Sequence, residues 1–225
     1  MSKAKARLIT LEGIDGVGKT THVTRVVGQL AKEGIPVSTY REPGTTPLGE
    51  ELRGILKHGL AKNAMAELLL FAAARAELVS TYVKPDLEAG TFVVLDRFTD
   101  STLAYQGALG RIDEPILESI CAAASGGLTP DLTIWLDVDP GEAFQRLYPL
   151  AGQLGSQTGS RDTELDVIEQ RSIGYFKRVR SRYKAIMDAD PKRMFHVDAS
   201  GAVEQTAEQI KKVLYKHLEK WDVLS

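Results

Sequence analysis

The stretch "GIDGVGKT", residues 13–20, decides how the rest of the chain is read. Its spacing is G-x-x-x-x-G-K-T, from Gly13 through Gly18, Lys19 and Thr20. Glycine lets consecutive backbone N–H groups turn inward around an anion. Lys19 is placed to reach β- and γ-phosphates, and Thr20 to put its hydroxyl on Mg²⁺. The flanks agree. "ARLITLE" before it carries Leu8, Ile9 and Leu11, a short apolar run that reads as a buried strand. After it, Val23, Val26, Val27, Leu30 and Ala31 recur at helical spacing, while His22, Arg25, Gln29 and Lys32 face elsewhere. Strand, glycine loop and helix form the setting of a phosphate loop, because the helix N-terminus adds partial positive charge.

A chain of 225 residues fits one domain, with 43% hydrophobic and 26% charged residues in an ordinary globular balance. The formal charge of −2 gives no global attraction to nucleic acid or an anionic membrane, so neither is expected as a partner. The one cysteine, Cys121, excludes an intramolecular disulfide, and four scattered histidines give no zinc cluster. No apolar run is long enough to span a bilayer, and no signal-peptide core follows "MSKAKAR". A cytoplasmic location is the expectation.

Strand-like runs at 7–12, 36–41, 91–96, 132–139 and 193–198 alternate with helical stretches. The first, third and fourth are apolar nearly throughout, as strands covered on both faces are. Met65, Leu68, Leu69, Ala72, Ala73, Ala76 and Val79 mark one helix; Ile168, Ser172, Tyr175, Phe176, Val179, Tyr183 and Ile186 mark another. The expected fold is a three-layer α/β phosphate-loop fold. Its five-stranded sheet is mostly parallel, helices lie on both faces, and ligands collect at the C-terminal strand ends. Residues 149–163, "PLAGQLGSQTGSRDT", break the pattern and read either as a surface loop or as a flexible lid closing on nucleotide.

Other chemistry sits at strand ends. Asp96 could hold Mg²⁺ directly or through water, or serve only in an ion pair. Arg97 beside it is a phosphate fork in waiting. Thr102, Tyr105 and Gln106 offer a hydroxyl, a ring and an amide within about one turn, suited to a flat polar base or to a plain helix start. Phe71 and Arg75 share a helix face, and the arginine needs a partner or an exit to water. "REPGTTPLGEELR", 41–53, contains the turn signal Glu42-Pro43-Gly44 and, further on, Arg53.

Together "LEGIDGVGKTT", "REPG.TPLGE.LR", "LLLFAAAR", "LDRF..ST.AYQG" and "PDLTIWLDVDP" resemble the thymidylate kinases, from roughly Arg7 to His217. The resemblance implies transfer of the ATP γ-phosphate to dTMP with Mg²⁺, usually in a homodimer. It implies ATP contacts from Gly13, Ile14, Asp15, Gly16, Val17, Gly18, Lys19, Thr20 and Thr21, with Arg146 near adenine. It implies Mg²⁺ at Thr20 and Asp96. For dTMP it implies Asp15, Glu42, Pro43, Arg53 and Ser101 around the acceptor, and Arg75 and Arg97 on its phosphate. Phe71 would stack on thymine, Thr102 and Gln106 would read its edge, and Tyr105 would crowd the 2′ position. Catalysis would rest on Lys19, Asp15, Arg97 and a lid arginine, here Arg161. Two departures stand out. Thr45 replaces a usual glycine, so a loop needing φ > 0 there would have to rearrange. Gly16 and Val167 stand at two positions where relatives carry an arginine, leaving Arg161 in the lid and Arg171 just after it. Two rival functions are a kinase for another deoxynucleotide or nucleoside, and a non-catalytic ATP-binding switch.

Overall fold

Five short strands carry the architecture: β1 (Leu8–Glu12), β2 (Val37–Arg41), β3 (Phe92–Asp96), β4 (Leu132–Asp137) and β5 (Met194–Asp198). They pair in parallel in the order β2-β3-β1-β4-β5. The computed structural model describes residues 5–61, 63–147 and 172–224. The segment read as a lid, with Arg161, Val167, Ile168 and Arg171, lies outside them.

The pattern of burial follows from that order. Strands β1 and β4 are buried along their whole length, and β3 everywhere but at Asp96. The edge strands β2 and β5 are only partly covered. Successive side chains point to opposite faces. Ile9 and Leu11 of β1, with Phe92 and Val94 of β3, join a cluster that includes Val23, Val26 and Leu30 of α1 (Lys19–Lys32) and Ile210 and Leu214 of α9 (Val203–Lys220). Leu8, Val93 and Leu95 face the other way, onto Leu78, Val79, Val83 and Phe98. That second layer contains α3 (Ala64–Leu78), which runs through a π-helical turn Val79–Val83 into α4 (Lys84–Glu88). It also contains α5 (Thr99–Leu109), which packs against α6 (Glu114–Ser125) and α8 (Ile173–Ala189). Two short helices complete the described residues: α2 (Pro47–Lys57), capped by the Thr46 hydroxyl, and α7 (Pro140–Leu147).

Two face assignments need correcting. His22, read as facing away from the apolar stripe, is buried, and Ala31, read within the stripe, is exposed. Helix α1 touches the sheet on one flank and α9 on the next, so its covered face is turned toward His22. On α3, Leu68 and Leu78 are core, but Leu69, Ala73 and Ala76 of the same apolar run point outward. A run apolar on every side does not reveal which side faces inward.

Thr45 does not escape the left-handed region; it occupies it, at φ 71°. Its side chain compensates. The hydroxyl accepts from the Arg41 N–H at 3.1 Å and donates to the Arg41 carbonyl at 3.2 Å. The Thr45 N–H donates to Glu50 at 2.8 Å. A short hydroxyl side chain bonded to its own turn makes a strained conformation tolerable.

Candidate active site

The C-terminal ends of β1 and β3 bring the glycine loop, Asp96 and Arg97 together. Gly13 has φ 138°, and a Cβ there would come within 2.4 Å of the Leu136 carbonyl. Gly18, at φ 85°, is the N-cap of α1. Gly16, at φ 83°, faces α7: a Cβ there would sit 2.5 Å from the Ala143 carbonyl. At Gly13 and Gly16 there is no room for a side chain, whereas Gly18 is marked by its positive φ alone.

Lys19 starts α1 and is nearly buried. Its Nζ donates to the Ile14 carbonyl at 2.8 Å and lies 3.8 Å from Asp15. Burial and the Arg97 charge push its ammonium down to about 8. The Thr20 hydroxyl donates to Asp96 at 3.0 Å, so the two oxygens expected on Mg²⁺ are neighbours. Hard oxygen donors, few in number, suit a cation that completes its shell with phosphate and water oxygens. Among the described residues no cluster of three His, Cys, Asp or Glu makes a separate cage.

Arg97 is held at φ 73°, strained backbone of the kind that persists only where surrounding contacts fix it. Its guanidinium donates to the Gly13 carbonyl at 2.9 Å and to Asp15 at 2.6 Å. It also donates to Ser101 at 3.0 Å and to the Tyr105 hydroxyl at 3.2 Å. One cation thus joins the glycine loop to α5. Asp15 would be raised by burial, but Arg97 and Lys19 outweigh that and hold it well below the usual carboxylate range.

Across the site, α3 runs along α5. Arg75 is buried, not snorkelling, and its partner is Glu42 at 2.8 Å, from the turn after β2. Arg75 also donates to the Phe98 carbonyl and to Thr102, each at 3.0 Å. Its Nη1 is buried without a hydrogen-bond partner, as is Glu42 Oε1. Burial raises the Glu42 carboxyl above its ordinary value despite Arg75. Arg53 supports the turn by donating to the Pro43 carbonyl at 3.0 Å. Phe71 lies one turn before Arg75, half-buried. Gln106, buried on α5, donates to Glu67 at 2.9 Å.

The structure thus gathers Gly13 to Thr20, Asp96, Arg97, Ser101 and Tyr105 into one network, and Glu42, Pro43, Arg53, Arg75 and Thr102 into a second beside it. Thr21 is exposed on the first turn of α1. Arg146 is not drawn into either network. It reaches from α7 to the carbonyls of Ala199 and Ser200, at 2.8 and 2.6 Å, beside the glycine loop's outer edge. Three participants escape the sequence reading: Glu12, Tyr183 and Glu67. Glu12, fully buried, accepts from the Phe98 N–H at 2.7 Å, from Ser101 and from Tyr183 at 3.0 Å. Burial and Asp100 push its carboxyl up to about 7. For Glu67 a signal exists, since residues 67, 71 and 75 share one helix face.

Comparison with known proteins agrees with this arrangement. The thymidylate kinase family profile matches residues 11–210. A thymidylate kinase of Chlorobium chlorochromatii (strain CaD3) is 43% identical over 194 residues, 86% of this chain and 87% of the relative. One from Chlorobium luteolum is 40% identical over 210 residues, 92% and 96% of the two chains. One from Roseiflexus sp. (strain RS-1) is 40% identical over 214 residues, 93% and 94%. On this coverage the chain belongs to the thymidylate kinase family.

Proposed function

We propose that the chain transfers the γ-phosphate of ATP to dTMP, giving dTDP and ADP in dTTP synthesis, with Mg²⁺ held through Thr20 and Asp96. The observation that carries the acceptor assignment is Arg75. It is a buried cation fixed by Glu42, Phe98 and Thr102, with Nη1 left over. A fixed guanidinium with a spare donor suits a phosphate monoester. Of the carboxylates on that side, Glu42 is taken up by Arg75 and Glu67 by Gln106, so neither stands as a base for a free 5′-hydroxyl.

Phosphoryl transfer asks little covalent chemistry of a protein and much alignment. In this reading Lys19 leaves the Ile14 carbonyl for the β- and γ-phosphates. Arg97 ties the donor loop to the acceptor helix and faces the acceptor phosphate with Arg75. Thr20 and Asp96 would hold Mg²⁺, which would supply positive charge against the phosphates. Phe71 stacks on the base, Thr102 and Gln106 read its polar edge, and Tyr105 fills the 2′ side. Arg146 borders the adenine. Arg161 is proposed from the sequence to add positive charge in the transition state. A homodimer is proposed on the outward face of α3, where Ala66, Leu69, Ala73 and Ala76 are exposed beside Ile116 of α6. A cytoplasmic setting fits the single cysteine, and no helix among the described residues is long and apolar enough to cross a membrane.

The test is ADP release measured with dTMP, with thymidine and with neither. Release that depends on dTMP is expected. Release unaffected by dTMP, or faster with thymidine, overturns the assignment.

A further inference from the structure

Gln106 can read a base edge only if its amide has one orientation. An amide carries a carbonyl on one side and an NH₂ on the other, and a half-turn about the last bond exchanges them. Left free, such a group would accept from one pyrimidine and donate to another. Here the choice is made by a neighbour. Gln106 Nε2 lies 2.9 Å from Glu67 Oε1, and both residues are buried. A carboxylate accepts and cannot donate, so the nitrogen faces Glu67 and the carbonyl oxygen is turned the other way.

Glu67 lies on α3 one turn before Phe71 and two before Arg75. The same helix face pairs with α5 at two levels: Glu67 with Gln106, and Arg75 with Thr102. Phe71 sits between those levels. This is where the proposed function puts the base.

Resting on that reading, we infer that Glu67 is a specificity-determining positioning residue, which fixes the Gln106 amide so that its carbonyl oxygen faces the acceptor base. A fixed acceptor matches the N3–H of thymine or uracil and opposes the N3 lone pair of cytosine. Glu67 itself touches no substrate; it acts through Gln106. Exchanging the carboxylate for an amide removes the constraint, because the new side chain in the Glu67→Gln variant can accept or donate and lets Gln106 flip.

The experiment compares kcat/KM for dTMP and dCMP in wild type, Glu67→Gln, Gln106→Leu and the double variant. The dTMP preference is expected to fall by about tenfold or more in Glu67→Gln, chiefly through KM, as a buried hydrogen bond loses its fixed polarity. Glu67→Asp, still acceptor-only, should keep more of the preference than Glu67→Gln. In the Gln106→Leu background Glu67→Gln should change the ratio no further. An unchanged ratio in Glu67→Gln overturns the inference, as does an equal fall in both backgrounds. A wild type that does not prefer dTMP over dCMP overturns instead the function on which it rests. A measurement on the wild-type chain is independent of whether the variants fold. The Gln106 side-chain NH₂ protons, one of them held on Glu67, should exchange with solvent far more slowly than those of an exposed glutamine; exchange at the exposed rate overturns the fixed orientation.

Discussion

Gly16→Ala adds one methyl group to the glycine loop and tests whether α7 closes that loop sterically. Two costs can be separated. Gly16 has φ 83°, and placing an L-residue in the left-handed region costs about 1–2 kcal/mol. The new Cβ would also meet the Ala143 carbonyl oxygen at 2.5 Å and Leu147 Cγ at 2.9 Å. The first is backbone, so it cannot rotate aside; α7 or the loop must move. Overpacking of that kind costs about 1–3 kcal/mol. The sum, about 2–5 kcal/mol, corresponds to about 4–20 °C in Tm for a chain of this size. Gly127→Ala is the control. Gly127 has φ 76° and nothing within 4 Å of its Cβ position, so it carries the backbone cost alone. Thermal unfolding of both variants isolates the clash. Gly16→Ala should melt several degrees below Gly127→Ala, and its KM for ATP should rise, because α7 also carries Arg146. Equal melting of the two variants would refute the steric argument. The same geometry speaks to the missing loop arginine. Gly16→Arg carries the same Cβ, so it should lose stability and gain no kcat; a faster, stable Gly16→Arg enzyme would show that α7 does not block the position.

Lys19→Ala should lower kcat at least about a hundredfold while the fold survives, read by ADP release and thermal unfolding; near-normal turnover in a folded variant would remove Lys19 from the chemistry. Glu12 predicts a pH dependence. Its carboxyl is pushed from 4.5 to about 7 in the folded chain, so between those values the folded state keeps a proton that the unfolded state has released. Stability is therefore lost as pH rises through that window, by up to about 3 kcal/mol from this group. The buried His22 and His217, held below their ordinary value by burial, act with the opposite sign, so the measurement is the difference in urea midpoint between wild type and Glu12→Gln from pH 4.5 to 8; parallel curves would contradict the assignment. At position 45, Thr45→Gly should be more stable than Thr45→Ala by about 1 kcal/mol, since both lose the hydroxyl bonds to Arg41 and only alanine keeps a Cβ at positive φ; the reverse order in chemical denaturation would count against the strain.

The glycine loop, the five strands and the sheet's parallel character are legible in the sequence because each depends on local requirements: φ > 0 without a Cβ, and apolar runs bounded by turns. What stays hidden depends on partners distant in sequence. Arg75 reads equally well as a surface residue or a ligand, because its fate is set by Glu42, 33 positions away. Glu12 looks like the last residue of a strand; it is a buried acceptor because Tyr183, 171 positions on, and the Phe98 N–H close over it. Thr45 shows in the sequence as a conflict, but its resolution requires knowing that its hydroxyl reaches the Arg41 backbone. His22 reads as outward because a single apolar stripe does not announce that the helix is packed on two flanks.

Those hidden partners share a physical purpose, visible in how charge is stored at the site. Lys19 and Arg97 are two cations close enough that Arg97, together with burial, depresses the lysine. Without a counter-charge such a pair would repel and open the loop. Asp15 supplies that charge, 2.6 Å from Arg97 and 3.8 Å from Lys19. Arg97 keeps its place through three further neutral contacts, the Gly13 carbonyl, Ser101 and the Tyr105 hydroxyl, so it does not depend on Asp15 alone. Lys19 has the Ile14 carbonyl and a long contact to Asp15. An arriving polyphosphate therefore competes for the lysine far more easily than for the arginine. On the proposed function the lysine would move to the anion, while Arg97, bonded to both the loop and α5, would stay in place. The strained φ of Arg97 coincides with its contacts to the Gly13 carbonyl, Asp15 and Ser101, which hold the side chain from several sides at once.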